Sequence, residues 1–194
     1  MTQNTNIFGL MGRKASTATA FISFRGTTDL ADWLQDLDVE PEPYTPLTGF
    51  GQVHAGFQDV YQVVRAGIAA NLPATLTGCT QILITGHSLG AAVAVLAAPD
   101  VFRGMPPNTI EPRLITFAGP KVGLPDFVTA FNTDIESCFR VVNFLDIVPL
   151  VPPAPYVHVG AQIDVDSRGP IDVVTRHSLT AYLAGLNALI AANP

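Results

Sequence analysis

The stretch Ile82-Leu83-Ile84-Thr85-Gly86-His87-Ser88-Leu89-Gly90-Ala91-Ala92 constrains the fold more than any other part of the chain. A β-branched apolar run ends at a glycine, a serine stands between two glycines, and small apolar residues follow. The pattern predicts a strand, a sharp turn and a helix. So tight a turn forces its apex residue into a strained conformation, and glycines two before and two after it remove Cβ atoms that would collide with the adjoining strand and helix. Ser88 is then carried at the C-terminal edge of a sheet and the N-terminus of a helix, where free amides and the helix dipole favour negative charge. The Leu89 N–H is placed to face an oxyanion. A serine that only caps an ordinary strand-to-helix turn fits these flanks less well.

The rest of the chain suits a fold built around that element. At 194 residues, 48% hydrophobic and 13% charged, it suits one domain spanning 1–194 with a largely buried sheet. A net charge of −6 argues against a nucleic-acid or anionic-membrane surface, either of which needs clustered Lys and Arg. Met1 to Asn6 lacks the cationic and apolar segments of a signal peptide, and no apolar run reaches membrane-spanning length. A soluble protein without an export signal is expected, either cytoplasmic or a mature secreted domain. Cys79 and Cys138 begin two strands separated by a third, so buried free thiols are expected.

Ile7 to Lys14 and Ala18 to Arg25 read as two strands joined near Ala15-Ser16. Leu30, Trp33, Leu34 and Leu37 recur at helical spacing among Asp29, Asp32, Asp36 and Asp38, giving an amphipathic helix with an acidic face. Glu40 to Pro46 is a stiff extended loop. A helix runs from Phe57 to about Leu72, with Pro73 at its end, and Pro99 ends or kinks the helix after the elbow. Strands follow at Arg113 to Ala118 and Phe139 to Leu145, with a short helix over Asp126 to Asn132 between them. Tyr156 to Val165 and Ile171 to Thr175 read as a hairpin closed at Arg168-Gly169, and Leu179 to Ile190 as a C-terminal helix. Apolar strands alternating with helices imply an α/β fold: a mostly parallel central sheet, covered on both faces, with antiparallel edge strands.

A serine hydroxyl needs a base to take its proton, and the base needs an acid to fix its tautomer. With this elbow the order along the chain is Ser, acid, His, which removes His54 and His87. His158 lies within an alternating strand, whereas His177 precedes the last helix and can reach over Ser88. Among Asp126, Asp134, Asp146, Asp164, Asp166 and Asp172, only Asp146 directly follows an apolar parallel strand, and Pro149 stiffens its loop. Thr27, in the loop after an earlier strand, is the candidate second oxyanion donor beside Leu89. The acidic run Asp29 to Glu42 alternates with apolar residues and reads as a solvated face rather than a metal site.

The segments Phe24-Arg25-Gly26-Thr27, Asp32 to Leu37, Val53 to Phe57, Gly86 to Gly90, Thr116 to Gly123, Asn143 to Pro149 and His177 to Tyr182 together resemble the class 3, fungal-type lipases of the α/β-hydrolase fold. The resemblance implies Ser88 as nucleophile, Asp146 as acid, His177 as base, and Thr27 and Leu89 at the oxyanion hole; His54 and His87 match positions used structurally. It also implies that Thr28 to about Asp38 corresponds to a lid, with Leu30, Trp33 and Leu34 over the substrate, although such a helix can equally pack permanently on the domain. Departures are Ala91 and Ala118 in place of glycines, Lys121 in place of arginine, and no helical region before the first strand.

The expected activity is carboxylic ester hydrolysis by a triacylglycerol lipase or esterase, without a cofactor, on an ester or lipid substrate at a lipid–water interface. A feruloyl or short-chain carboxylesterase and a phospholipase or galactolipase are the alternatives within hydrolases. A non-catalytic binding scaffold is the alternative from another class.

Overall fold

The computed structural model describes residues 8–27, 40–105 and 110–193. Strands β1 (Gly9–Lys14) and β2 (Thr19–Phe24) form an antiparallel pair across a short turn. β3 (Pro41–Pro43) and β4 (Gln52–His54) make a separate two-stranded ribbon, so part of the expected proline-rich loop is extended and paired. Helix α1 (Ala55–Leu76) follows, then β5 (Gln81–His87), α2 (Leu89–Arg103) and β6 (Glu111–Phe117). The chain continues through α3 (Pro125–Asp134), β7 (Cys138–Asn143), β8 (Ala161–Val165), α4 (Val173–His177) and α5 (Leu179–Ala192). The main sheet has six strands in the order β1-β2-β5-β6-β7-β8, all parallel from β2 onward.

Alternating strand residues divide between two apolar layers, as the pleat requires. Ile22, Ile82, Ile84 and Leu114 join Phe57 and Tyr61 of α1, Leu96 of α2, and Phe127 and Phe131 of α3 in the larger core. Ile115, Phe117, Val141, Ile163 and Val165 pack with Tyr182 and Leu186 of α5. Every residue from Leu89 to Ala98 is buried, and its small side chains let α2 lie close to the sheet.

Two expectations are corrected. Pro73 lies inside α1, where apolar packing outweighs one lost main-chain hydrogen bond; Pro99 does not end α2, which continues to Arg103. The late hairpin is not formed. β8 runs parallel to β7, Val157 makes only an isolated bridge to Gly123, and the Asp172 carboxylate caps α4 by accepting from the Thr175 N–H at 2.9 Å. Val173 and Val174 favour a strand locally, but this cap turns them into helix. Cys79 and Cys138 are buried free thiols on β5's approach and on β7, with β6 between. Burial pushes the Cys138 thiol up to about 12.

Glycine is needed at the elbow for space. A Cβ on Gly86 would stand 2.1 Å from the Gly90 carbonyl oxygen, and one on Gly90 would stand 2.4 Å from that of Phe24. Gly67, on α1, faces open space. Gly90→Ala should therefore cost about 3 kcal/mol or more in denaturant unfolding, whereas Gly67→Ala should add roughly 0.5–1 kcal/mol. A Gly90→Ala protein as stable as the parent would contradict this account of the elbow.

Candidate functional site

Ser88 sits at the turn between β5 and α2 with φ 59° and ψ −128°, a conformation non-glycine residues rarely adopt. Its N–H donates to the Phe117 carbonyl at 3.0 Å, tying the elbow to the end of β6. The loop after β2 presses against it: a Cβ on Gly26 would lie 3.0 Å from the Ser88 Cβ. This contact holds Thr27 in the loop beside the elbow, while Leu89 opens α2, where first-turn amides lack intrahelical acceptors.

Asp146 follows β7 through a turn in which Leu145 takes φ 65° and the Asp146 N–H donates to the Asn143 carbonyl at 3.0 Å. The carboxylate is 4% exposed and fully occupied by donors. It accepts from His177 Nδ1 at 2.9 and 3.1 Å, from the Tyr182 hydroxyl at 2.7 Å and from the Val148 N–H at 3.0 Å. An ionised carboxylate only accepts, so Nδ1 carries the proton and Nε2 of His177 presents its lone pair. His177 Nε2 and Ser88 Oγ are both buried and have no hydrogen-bond partner among the described residues.

His177 ends α4, and Ser178 immediately caps α5 by accepting from the Ala181 N–H at 3.2 Å. The preceding residue is fastened from two sides. Asn143 Nδ2 donates to the Arg176 carbonyl at 2.8 Å, linking the end of β7 to the residue before His177. The Arg176 guanidinium is buried and holds its own loop through Pro170 O at 2.8 Å, Gly169 O at 3.0 Å and Asp166 Oδ1 at 2.9 Å. Arg168 and Arg176 draw the Asp166 carboxyl below the usual range, chiefly through the hydrogen bond from the Arg168 N–H.

The structure thus brings Asp146 and His177 into contact and sets both near an elbow bearing Ser88, with Leu89 and Thr27 beside it. Leu30, Trp33 and Leu34, and the whole helix expected over Thr28 to Asp38, lie outside the described residues. Tyr182, Asn143 and Arg176 had no assigned site role in the sequence. Tyr182 reads there as one more apolar position on the last helix, and only the fold brings its hydroxyl to Asp146. Burial holds that hydroxyl well above the ordinary tyrosine range. His158, set aside from sequence, donates through Nε2 to the Pro149 carbonyl at 2.8 Å, away from Ser88 in role though close to the Asp146 loop. Among the described residues, no group of three His, Cys, Asp or Glu could hold a metal ion, and no helix is long and apolar enough to cross a membrane.

Burial lowers both His87 and His158 from 6.5 to about 4; His177 adds to the effect at His87, and Arg140 adds to it at His158. An unfolded chain therefore takes up these protons first. Stability is complete above pH 6.5 and falls as pH drops toward 4, by up to about 3 kcal/mol for each group. Urea midpoints measured across that window should fall with acidification, and His158→Gln should flatten the slope. A pH-independent midpoint would contradict the buried neutral assignment.

Comparison with known proteins bears on this arrangement. Residues 21–156 match the lipase (class 3) family. A lipase of Rhizomucor miehei is 32% identical over 168 residues, covering 83% of this chain and 46% of that protein. Phospholipase A1-II 3 of Oryza sativa subsp. japonica is 33% identical over 205 residues, covering 88% and 49%. The chain therefore spans about half the length of these relatives. A triacylglycerol lipase whose catalytic centre is formed by a serine protease triad superposes with a TM-score of 0.74 at 32% identity, covering 85% of this chain and 65% of that one.

Proposed function

This chain belongs to the class 3 lipase family, and on that premise we propose that it is a carboxylic ester hydrolase acting on lipid esters through Ser88, His177 and Asp146. The observation that carries the reading is the pair of buried, unpartnered atoms Ser88 Oγ and His177 Nε2, one a hydroxyl and the other a lone pair whose ring is fixed by Asp146.

Ser88 Oγ attacks the ester carbonyl carbon as His177 Nε2 takes its proton, and the carbonyl electron pair moves onto oxygen. The Leu89 and Thr27 N–H groups receive that oxyanion. Asp146 stabilises the imidazolium without itself accepting its proton. Collapse breaks the bond to the alcohol, which leaves with the proton from His177. Water then repeats the cycle on the acyl-enzyme, with His177 as base again, and releases the carboxylic acid. The side chains and amides named balance every step.

A lipid partner is supported by the apolar rim near these residues. Phe144 and Leu150, in the loop that carries Asp146, are 59% and 67% exposed, and Ile171 and Val174, next to His177, are 75% and 73% exposed. Such a rim suits a lipid–water interface better than a free polar ester. Triacylglycerol-type esters are the substrate class we assign, in line with the lipase relatives.

Hydrolysis of p-nitrophenyl esters of increasing acyl length, below and above their solubility, tests this. Long acyl chains and a rise in rate once an interface forms are expected, and Ser88→Ala should lower kcat by about 10⁶-fold. Activity confined to short soluble esters would overturn the lipid assignment. Full activity in Ser88→Ala would overturn the mechanism.

A further inference from the structure

His87, the last residue of β5 and the neighbour of Ser88, reaches across to the main chain of His177. Its Nε2 lies 2.7 Å from the His177 carbonyl oxygen, and the two rings pack in a tilted arrangement with centroids 4.7 Å apart at 43°. A carbonyl oxygen only accepts, so Nε2 of His87 must carry the proton. Nδ1 is then the unprotonated nitrogen, and it faces the loop after β2, where a Cβ on Gly26 would lie 3.5 Å from it.

The His177 carbonyl is in particular need of such a donor. It stands at the C-terminus of α4, a helix of five residues, where terminal carbonyls have no intrahelical partner. So short a helix has little stability of its own, and the orientation of its last residue must be set from outside. Asn143 and Arg176 fasten residue 176, and Ser178 begins the next helix. At residue 177 itself, the described anchors are Asp146 on the ring and His87 on the main chain.

We infer that His87 is a positioning residue for the base: its Nε2–H anchors the His177 carbonyl and its ring backs the His177 ring, so that Nε2 of His177 stays aimed at Ser88. This rests on the reading of Ser88 and His177 as nucleophile and base. One side chain thereby couples the strand that presents the hydroxyl to the helix end that presents the lone pair. A displacement of about 1 Å between such groups costs on the order of 10²-fold in rate.

The charge state of His87 serves the same purpose. Facing it are the His177 ring from α4, Asp146 from the loop after β7 and the Tyr182 ring from α5 at 6.0 Å, and Arg25 and Gly26 line with it a groove of about 620 Å³. During turnover His177 becomes a cation 4.7 Å from the His87 ring. A second cation there would make His177 a weaker base. Burial and His177 together hold His87 at about 4, so it stays neutral while the base works.

Two readouts test the inference. In the parent protein, ¹⁵N NMR of labelled histidine should find His87 as the Nε2–H tautomer, titrating well below 6.5. An Nδ1–H tautomer, or titration near 6.5, would overturn the inference whatever the activity, and this readout needs no variant to fold. Second, His87→Phe keeps a ring but loses the donor, while His87→Gln keeps an N–H. His87→Phe should lower kcat by about 10- to 100-fold with KM little changed, and shift the acid limb of the pH–rate profile. His87→Gln should recover part of that loss. Parent-like kcat and pH profile in His87→Phe, or no rescue by His87→Gln, would overturn the inference. Absence of Ser88-dependent turnover in the parent would instead count against the proposed function, and the tautomer measurement would still decide the role of His87.

Discussion

The site depends on how closely the backbone of the elbow can approach its neighbours. Gly86 and Gly90 leave no room for a Cβ, so the first turn of α2 lies directly on the ends of β5 and β2. That contact forces Ser88 to φ 59° and draws Gly26, next to Thr27, against it. The strain of one residue is held by the two strands flanking β5 and by the buried helix that follows. The same few contacts therefore set a hydroxyl at the apex of the turn and bring main-chain amides near it.

Opposite the elbow, order comes from a web of buried polar groups rather than from a long element. Asp146 gathers donors from His177, Tyr182 and Val148, while Asn143 and Arg176 fix the chain just before His177. Each of these groups would be costly to bury alone, and together they satisfy one another. Among the described residues, Ser88 Oγ and His177 Nε2 are buried without a partner, as Arg140 Nη1 is elsewhere on the sheet, and this is the condition expected of atoms that must bond to something else during a reaction.

Much of this was legible in the chain because it is encoded locally. The two glycines around Ser88 and the β-branched run before it announce the elbow, and the apolar strand ending at Asp146 distinguishes that aspartate from five others. Features that arise from long-range juxtaposition were not legible. Tyr182 looks like an ordinary apolar helix residue until the fold carries its hydroxyl to Asp146, and nothing adjacent to Arg176 in sequence announces its buried role. Local signals also misled where tertiary context prevailed. Pro73 sits within a helix whose packing tolerates it, and the β-branched pair Val173-Val174 yields to the Asp172 cap. Family membership, shared with lipases and phospholipases of about twice this length, narrows the chemistry more than the choice of lipid.

The central claim is that the elbow makes Ser88 the acyl acceptor. The most direct measurement is to quench turnover of an activated ester with acid, then locate the acyl group by peptide mass spectrometry. One acyl group per chain, on the peptide that contains Ser88 and absent from Ser88→Ala, is the predicted result. Turnover that leaves Ser88 unmodified, or an acyl group on another residue, would contradict the account.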